Sequence, residues 1–181
     1  MNEYETTDLS SLSGQTSNLL GSWADSVQGH GDANELRAHH STCLGCGPDN
    51  PHGHHLQVRR DGQDVVAEHV FDERHVGAPG IAHGGAVATV IDDLFGFLLY
   101  GMGSLGVTRS LQMDYRAPVL LGRNYILRAR LVERDGRKMH TAATVAHETN
   151  FVATARAVFV AVDLGHFTEA LSSADRDRSS R

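Results

Sequence analysis

The sequence predicts an α+β domain in which a curved antiparallel sheet of about six strands wraps around one long central helix. Three observations carry that expectation. A mid-chain stretch repeats large apolar residues at steps of three and four, the period of a helix. The runs on either side of it are short and β-prone, and they are separated by Gly-, Asp- and Pro-containing breaks. A single apolar helix must also find an apolar surface to bury against, and a curved sheet supplies one.

Taken in chain order, residues 1–38 mix Ser, Thr, Asp, Glu and Gly and read as a flexible arm, with one amphipathic stretch, Leu19 to Val27, suited to a short helix. The next stretch, 39–55, is dense in turn residues and reads as loop. Leu56–Arg60 and Val65–Phe71 flank the turn Asp61-Gly62 and form a hairpin. From Gly84 to about Tyr100 the residues Val87, Val90, Ile91, Leu94 and Leu98 mark the helix, and Gly101-Met102-Gly103 ends it. Four further strands follow. Val107–Arg116 is stopped by Ala117-Pro118; Tyr125–Arg134 and Met139–His147 are joined at Asp135-Gly136; Phe151–Asp163 is the last. In that last strand Phe151, Ala153, Ala155, Ala157, Phe159 and Ala161 share one face, so something packs closely there. The chain divides into the arm, one domain over 39–165, and a polar tail over 166–181 that is expected to be disordered from about Ser172. There is no internal repeat.

Lys and Arg total 16 against 22 Asp and Glu, a net charge of −6, which argues against a broadly nucleic-acid-binding surface. No apolar run approaches the roughly 18 residues that span a bilayer, and Met1 to Gly14 is polar and acidic, unlike a secretory signal. A cytoplasmic protein is expected, with Cys43 and Cys46 kept as thiols.

The helix begins His83-Gly84-Gly85. The first N–H groups of a helix lack internal partners and carry partial positive charge, and glycine lets a carbonyl or phosphate come close, an oxyanion-hole design. A tight entry turn is the plain alternative. On the helical wheel Gly85, Ala88, Thr89, Asp92 and Gly96 form one stripe, so Asp92 projects over a floor of small residues with room for a ligand or a second subunit. Asp93 lies about 100° away. Both acids are equally readable as the solvated face of an amphipathic helix.

The histidine, the two glycines and the acid nine residues later resemble the phenylacetyl-CoA thioesterase-like (PaaI-like) branch of the hotdog superfamily. His75 to His83 resembles that branch's loop into the helix, Thr108 to Pro118 its next strand, Glu133 to Lys138 a later turn, and Cys43 to Gly53 a segment before the first strand. The resemblance implies an acyl-CoA thioesterase on the hotdog fold, working as a homodimer with sites between subunits and with pairing of two dimers left open. Asp92 would be the catalytic carboxylate, as general base or nucleophile. The partner subunit's Gly84 N–H, with Gly85 beside it, would hold the thioester carbonyl; His83 would orient the thioester and Thr108 would position the carboxylate or the water. Some relatives carry Asn where this chain has Gly77, and the usual Asn-Pro-x-Gly-Leu reads Asn50-Pro-His-Gly-His54, a change expected to alter the pocket mouth. For the phosphates of coenzyme A the candidates are Arg137 and Lys138, with Arg116 and Arg123 behind them. Phe95, Phe97, Leu98, Leu99, Tyr100 and Tyr115 are core residues first and tunnel residues second.

Two other functions stay open: a non-catalytic acyl-CoA-binding or regulatory domain, and an enoyl-thioester hydratase or dehydratase. A pure binder has no need of Asp92, and the opposite faces of His83 and Asp92 disfavour their pairing within one chain. No cofactor is expected. His39, His40, Cys43, Cys46, His52, His54 and His55 are close enough in sequence for a structural zinc site, but the resemblance accounts for the cysteines as loop, and no metal is expected.

Overall fold

The computed structural model describes residues 34–179 together with Gly14, Leu20, Gly21 and Trp23, with the backbone alone over 174–179. Its strands are β1 (Glu35–Leu36), β2 (Val58–Asp61), β3 (Asp64–Val70), β4 (Val76–Ala78), β5 (Ile81–Ala82), β6 (Gly106–Tyr115), β7 (Asn124–Asp135), β8 (Lys138–His147) and β9 (Asn150–Ala161). Helix α1 is Gly84–Gly101 and helix α2 is Leu164–Ser179. Seven strands form one antiparallel sheet in the order β1-β2-β3-β7-β8-β9-β6, and β4-β5 is a separate ribbon.

The six expected strands are all present. The seventh, β1, comes from the stretch read as the arm and adds two residues beside β2. The β4-β5 ribbon lies in the segment read as a loop into the helix. The polar tail is also not the disordered end expected: its backbone continues as α2. Of the suggested helix at Leu19–Val27, Leu20, Gly21 and Trp23 are helical, and the rest lies outside the described residues.

Packing of α1 follows from small residues on the sheet. Val65, Ala129, Ala143, Ala155 and Met113 are paired in register across β3, β7, β8, β9 and β6. Alanine at the three central positions leaves room for a helix to lie close, and α1 contacts β3, β7, β8 and β6. Val87, Val90, Ile91, Leu94, Phe95, Phe97, Leu98 and Leu99 are buried in that interface, and Phe95 meets Phe159 of β9 edge-on at 5.9 Å. At 18 residues and mean hydropathy 1.3, α1 is long and apolar enough to cross a bilayer, more than the sequence reading allowed. Its burial on the sheet identifies it as a core helix.

Beyond the end of α1 a smaller cluster joins Tyr100 and Leu105 to Trp23, Val162 and Leu164. The Trp23 ring meets Phe167 of α2 edge-on at 4.7 Å, so α2 docks where α1 ends.

Candidate functional site

His83 is the N-cap of α1, with φ −62° and ψ 133°, and its Nδ1 accepts the Gly85 N–H at 2.9 Å. Two consequences follow. The Gly85 N–H is occupied by the cap, so Gly84 offers the first helix N–H to a ligand. An accepting Nδ1 also places the proton of a neutral imidazole on Nε2, as a donor. Both His83 and Gly84 are exposed. Tyr115 of β6 donates its hydroxyl to the Gly84 carbonyl at 2.5 Å and fixes this end of the helix against the sheet. A groove of about 400 Å³ opens beside it, lined by Gly84, Val87, Tyr115, Arg116 and Pro118.

Gly77 explains its own departure from the resembling family. A Cβ at that position would lie 2.6 Å from the His83 Cα, so the β4-β5 ribbon passes too close to the cap for an asparagine on this backbone.

Asp92 lies half-buried, and Thr108 of β6 donates its hydroxyl to Asp92 Oδ1 at 2.9 Å. Burial raises the Asp92 carboxyl above its ordinary value, and the Thr108 hydrogen bond offsets part of that rise. Thr89, one turn earlier, donates to the Gly85 carbonyl within the helix. Eight residues at 1.5 Å each put Gly84 and Asp92 about 12 Å apart along the axis, too far to act on one carbonyl. Thus Thr108 and Asp92 come together at the middle of the helix, while His83, Gly84 and Gly85 come together at its N-terminal end.

Of the expected phosphate partners, Arg116 shares the Gly84 groove. Arg137 lies in the exposed β7-β8 turn and Lys138 opens β8, where it pairs in register with Val160, which pairs with Val107 beside Thr108. Arg123 is exposed before β7.

Asp93 is readable in the sequence as a solvated acid, yet it is largely buried and faces away from Asp92's partner. Its Oδ1 lies 3.0 Å from His39 Nδ1, 3.3 Å from Cys43 Sγ and 3.8 Å from Cys46 Sγ. Burial raises the Asp93 carboxyl, partly countered by the hydrogen bond to His39. The two thiols share a contact that pulls Cys43 down and pushes Cys46 up. The His39 ring lies tilted against Phe97 at 4.1 Å and meets Tyr100 edge-on at 4.3 Å, directly over Gly96, where a Cβ would lie 2.9 Å from the ring. The Gly96 end of the small-residue stripe is therefore occupied by the chain itself. Spacing alone could not have found Asp93 as the partner of the Cys-x-x-Cys loop, because it comes from a helix face with no signal for it.

His54 does not sit at a pocket mouth. It is buried with its ring stacked on His75 at 3.8 Å, with His69 at 5.5 Å and Phe71 at 5.9 Å. Burial lowers His54 and His69 to about 4, and His75 is lowered as well.

Comparison with known proteins bears on the fold that carries these residues. Residues 79–156, which hold the cap, α1, β6, β7 and β8, match the family model described as thioesterase superfamily. An acyl-coenzyme A thioesterase of Rattus norvegicus, THEM4, is 33% identical over 89 residues, which are 48% of this chain and 38% of that protein. The chain therefore spans well under half the length of that relative. Among solved structures, a thioesterase superfamily protein superposes with a TM-score of 0.64 at 24% identity, over 66% of this chain and 60% of its own. A point mutant of the phenylacetic acid degradation protein PaaI from Thermus thermophilus superposes with a TM-score of 0.55 at 25% identity, over 59% of this chain and 93% of its own. The fold is the hotdog fold of these thioesterases.

Proposed function

We propose that the chain hydrolyses acyl-CoA thioesters, with Asp92 as the catalytic carboxylate and with each site shared between two subunits. The observation that carries this reading is Asp92 held by Thr108 on β6, the strand at the open end of the sheet. A ten-residue edge strand exposes unpaired backbone groups that a second copy can satisfy. Antiparallel pairing of β6 with its copy about Leu111 and Gln112 would bring Thr108 of one subunit opposite Tyr115 of the other. Asp92 would then face the partner subunit's Gly84, which supplies the half of the site that lies about 12 Å away within one chain.

In that arrangement the thioester carbonyl oxygen receives the Gly84 N–H and the His83 Nε2–H. Both are donors fixed before the reaction and aimed where negative charge develops. Asp92, poised by burial and by Thr108, takes a proton from a water whose oxygen adds to the carbonyl carbon. Collapse of the adduct breaks the C–S bond, and the proton held by Asp92 passes to the leaving thiolate. Direct attack by Asp92, giving a mixed anhydride that water then opens, uses the same atoms. Arg137 and Lys138 at the Thr108 end and Arg116 at the Gly84 end are available to the CoA phosphates. The names of the relatives and the 79–156 family match support the acyl-CoA thioester as substrate.

A binding domain without turnover would use the same groove but would gain nothing from Asp92, whose charge repels an oxyanion. Asp92→Asn keeps the acceptor for Thr108 and removes the base. Thiol release from a panel of short, long and aromatic acyl-CoAs is expected to fall about 10²- to 10⁴-fold. Unchanged release on every substrate the wild-type chain cleaves would exclude the mechanism.

A further inference from the structure

We propose that His39, Cys43, Cys46 and Asp93 form a closed structural zinc site that clamps the 39–47 segment onto α1 immediately behind Asp92. One candidate ligand atom from each residue lies within 4.8 Å of all the others. With Zn–S bonds of about 2.3 Å and Zn–N and Zn–O bonds of about 2.0–2.2 Å, the edges of a tetrahedron run from about 3.3 to about 3.8 Å. The separations from Asp93 Oδ1 are 3.0 Å to His39, 3.3 Å to Cys43 and 3.8 Å to Cys46, close to those edges. Two thiolates, one imidazole and one carboxylate fill four positions with zinc's preferred donors and leave none for water, the mark of a structural rather than a catalytic ion.

The surroundings are built for the same purpose. The His39 backbone N–H donates to Cys46 Sγ at 3.2 Å, which supports a thiolate. Cys43 and Cys46 stand on a tight knuckle closed by Gly47 N–H to the Cys43 carbonyl at 2.9 Å, and a Cβ at Gly45 would fall inside the Asp93 side chain. Phe97 and Tyr100 cover the His39 ring. Three groups converge on Asp93 Oδ1, while the buried Oδ2 has no hydrogen-bond partner among the described residues. Without a cation, that is a poor arrangement for a buried carboxylate. Three of the four remaining histidines of the stretch are engaged elsewhere, His40 with Thr42, His55 with the Asn50 carbonyl and His54 in its own cluster, and His52 is exposed.

The test is metal analysis of the full chain produced in zinc-supplemented medium. About one zinc per chain is expected to survive dialysis, and a strong chelator should remove it and lower Tm, with Tm restored by zinc. Cys46→Ser and Asp93→Asn should lose the metal, whereas His52→Ala, an exposed neighbour, should keep it. Because those variants could fail to fold, the native chain is also stripped and reloaded with cobalt. Intense visible bands of tetrahedral cobalt, together with a thiolate charge-transfer band in the near ultraviolet, are expected. Zinc absent from the purified chain with no cobalt spectrum on reloading, full occupancy in Cys46→Ser, or a Cys43–Cys46 disulfide in the isolated protein would each overturn the assignment. None of these results depends on thioester turnover, so the site and the proposed reaction stand or fall separately.

Discussion

Asp92 and Asp93 are neighbours in sequence, and the structure sends them to different chemistry. Asp92 turns toward Thr108 and the open strand edge; Asp93 turns inward to His39 and the two cysteines. The helical wheel separated their faces, because a rotation of about 100° per residue is a property of the helix alone. It could not say that Asp93 is buried, since its partners come from a loop about fifty positions earlier. An Asp93→Ala variant is therefore no neutral control for Asp92: it removes the only carboxylate from a buried cluster and is expected to destabilise the fold. Thr108 gives the cleaner test. It is exposed, so Thr108→Val should fold normally while deleting a hydrogen bond to a carboxylate. Such bonds contribute about 1.5–3 kcal/mol, so kcat should fall roughly tenfold to a hundredfold with little change in KM. An unaltered kcat would remove Thr108 from the machinery.

The elements were legible where local pattern decides them. Helix α1 announces itself by period, and β2-β3 and β7-β8 by their turns, where Gly62 and Gly136 take φ of 65° and 55°. The two-residue strands β1 and β5 carry too little pattern to register, since pairing with a neighbour makes them strands. The tail's polar composition hid α2, whose docking rests on apolar contacts such as Phe167 against Trp23. The junction of β3 with the loops on either side is a similar case, because it assembles His54, His69 and His75 from three separate segments. Burial is the first cause of their low values; His75, His69 and Arg74 add to it for His54, and Asp72 opposes it. A histidine whose folded value lies below its unfolded one contributes stability above the unfolded pKa of about 6.5, and loses it as pH falls toward the folded value. For His54 and His69 the window runs from about 6.5 down to about 4. Replacing His54 with the leucine that the resembling family carries there should flatten this dependence. Tm of His54→Leu is expected to exceed wild type by more at pH 5 than at pH 7.5, and equal pH profiles would show that His54 binds protons alike in the folded and unfolded chain, against the lowering that burial imposes.

On the scale of the whole molecule, the stripe of small residues on α1 serves two neighbours. His39 fills its Gly96 end from within the chain, so in the proposed reaction the Gly85 to Asp92 end is the part that would meet substrate and a second subunit. That division was invisible in the sequence, where all five stripe residues looked equally free. It also makes a shared site testable without a structure of the dimer. Gly84 is the first helical residue, where proline is well tolerated, and His83 before it already has the extended backbone that proline requires. Gly84→Pro should therefore delete the N–H donor and keep the helix, lowering kcat about 10²- to 10³-fold. If Asp92 and Gly84 act across the interface, a dimer of one Asp92→Asn chain and one Gly84→Pro chain has one doubly damaged site and one intact site. Random reassociation of two inactive homodimers makes half of the dimers mixed, so activity should return to about a quarter of wild type. If instead each site were built within one chain, every site in the mixture would carry a lesion, and mixing would restore nothing.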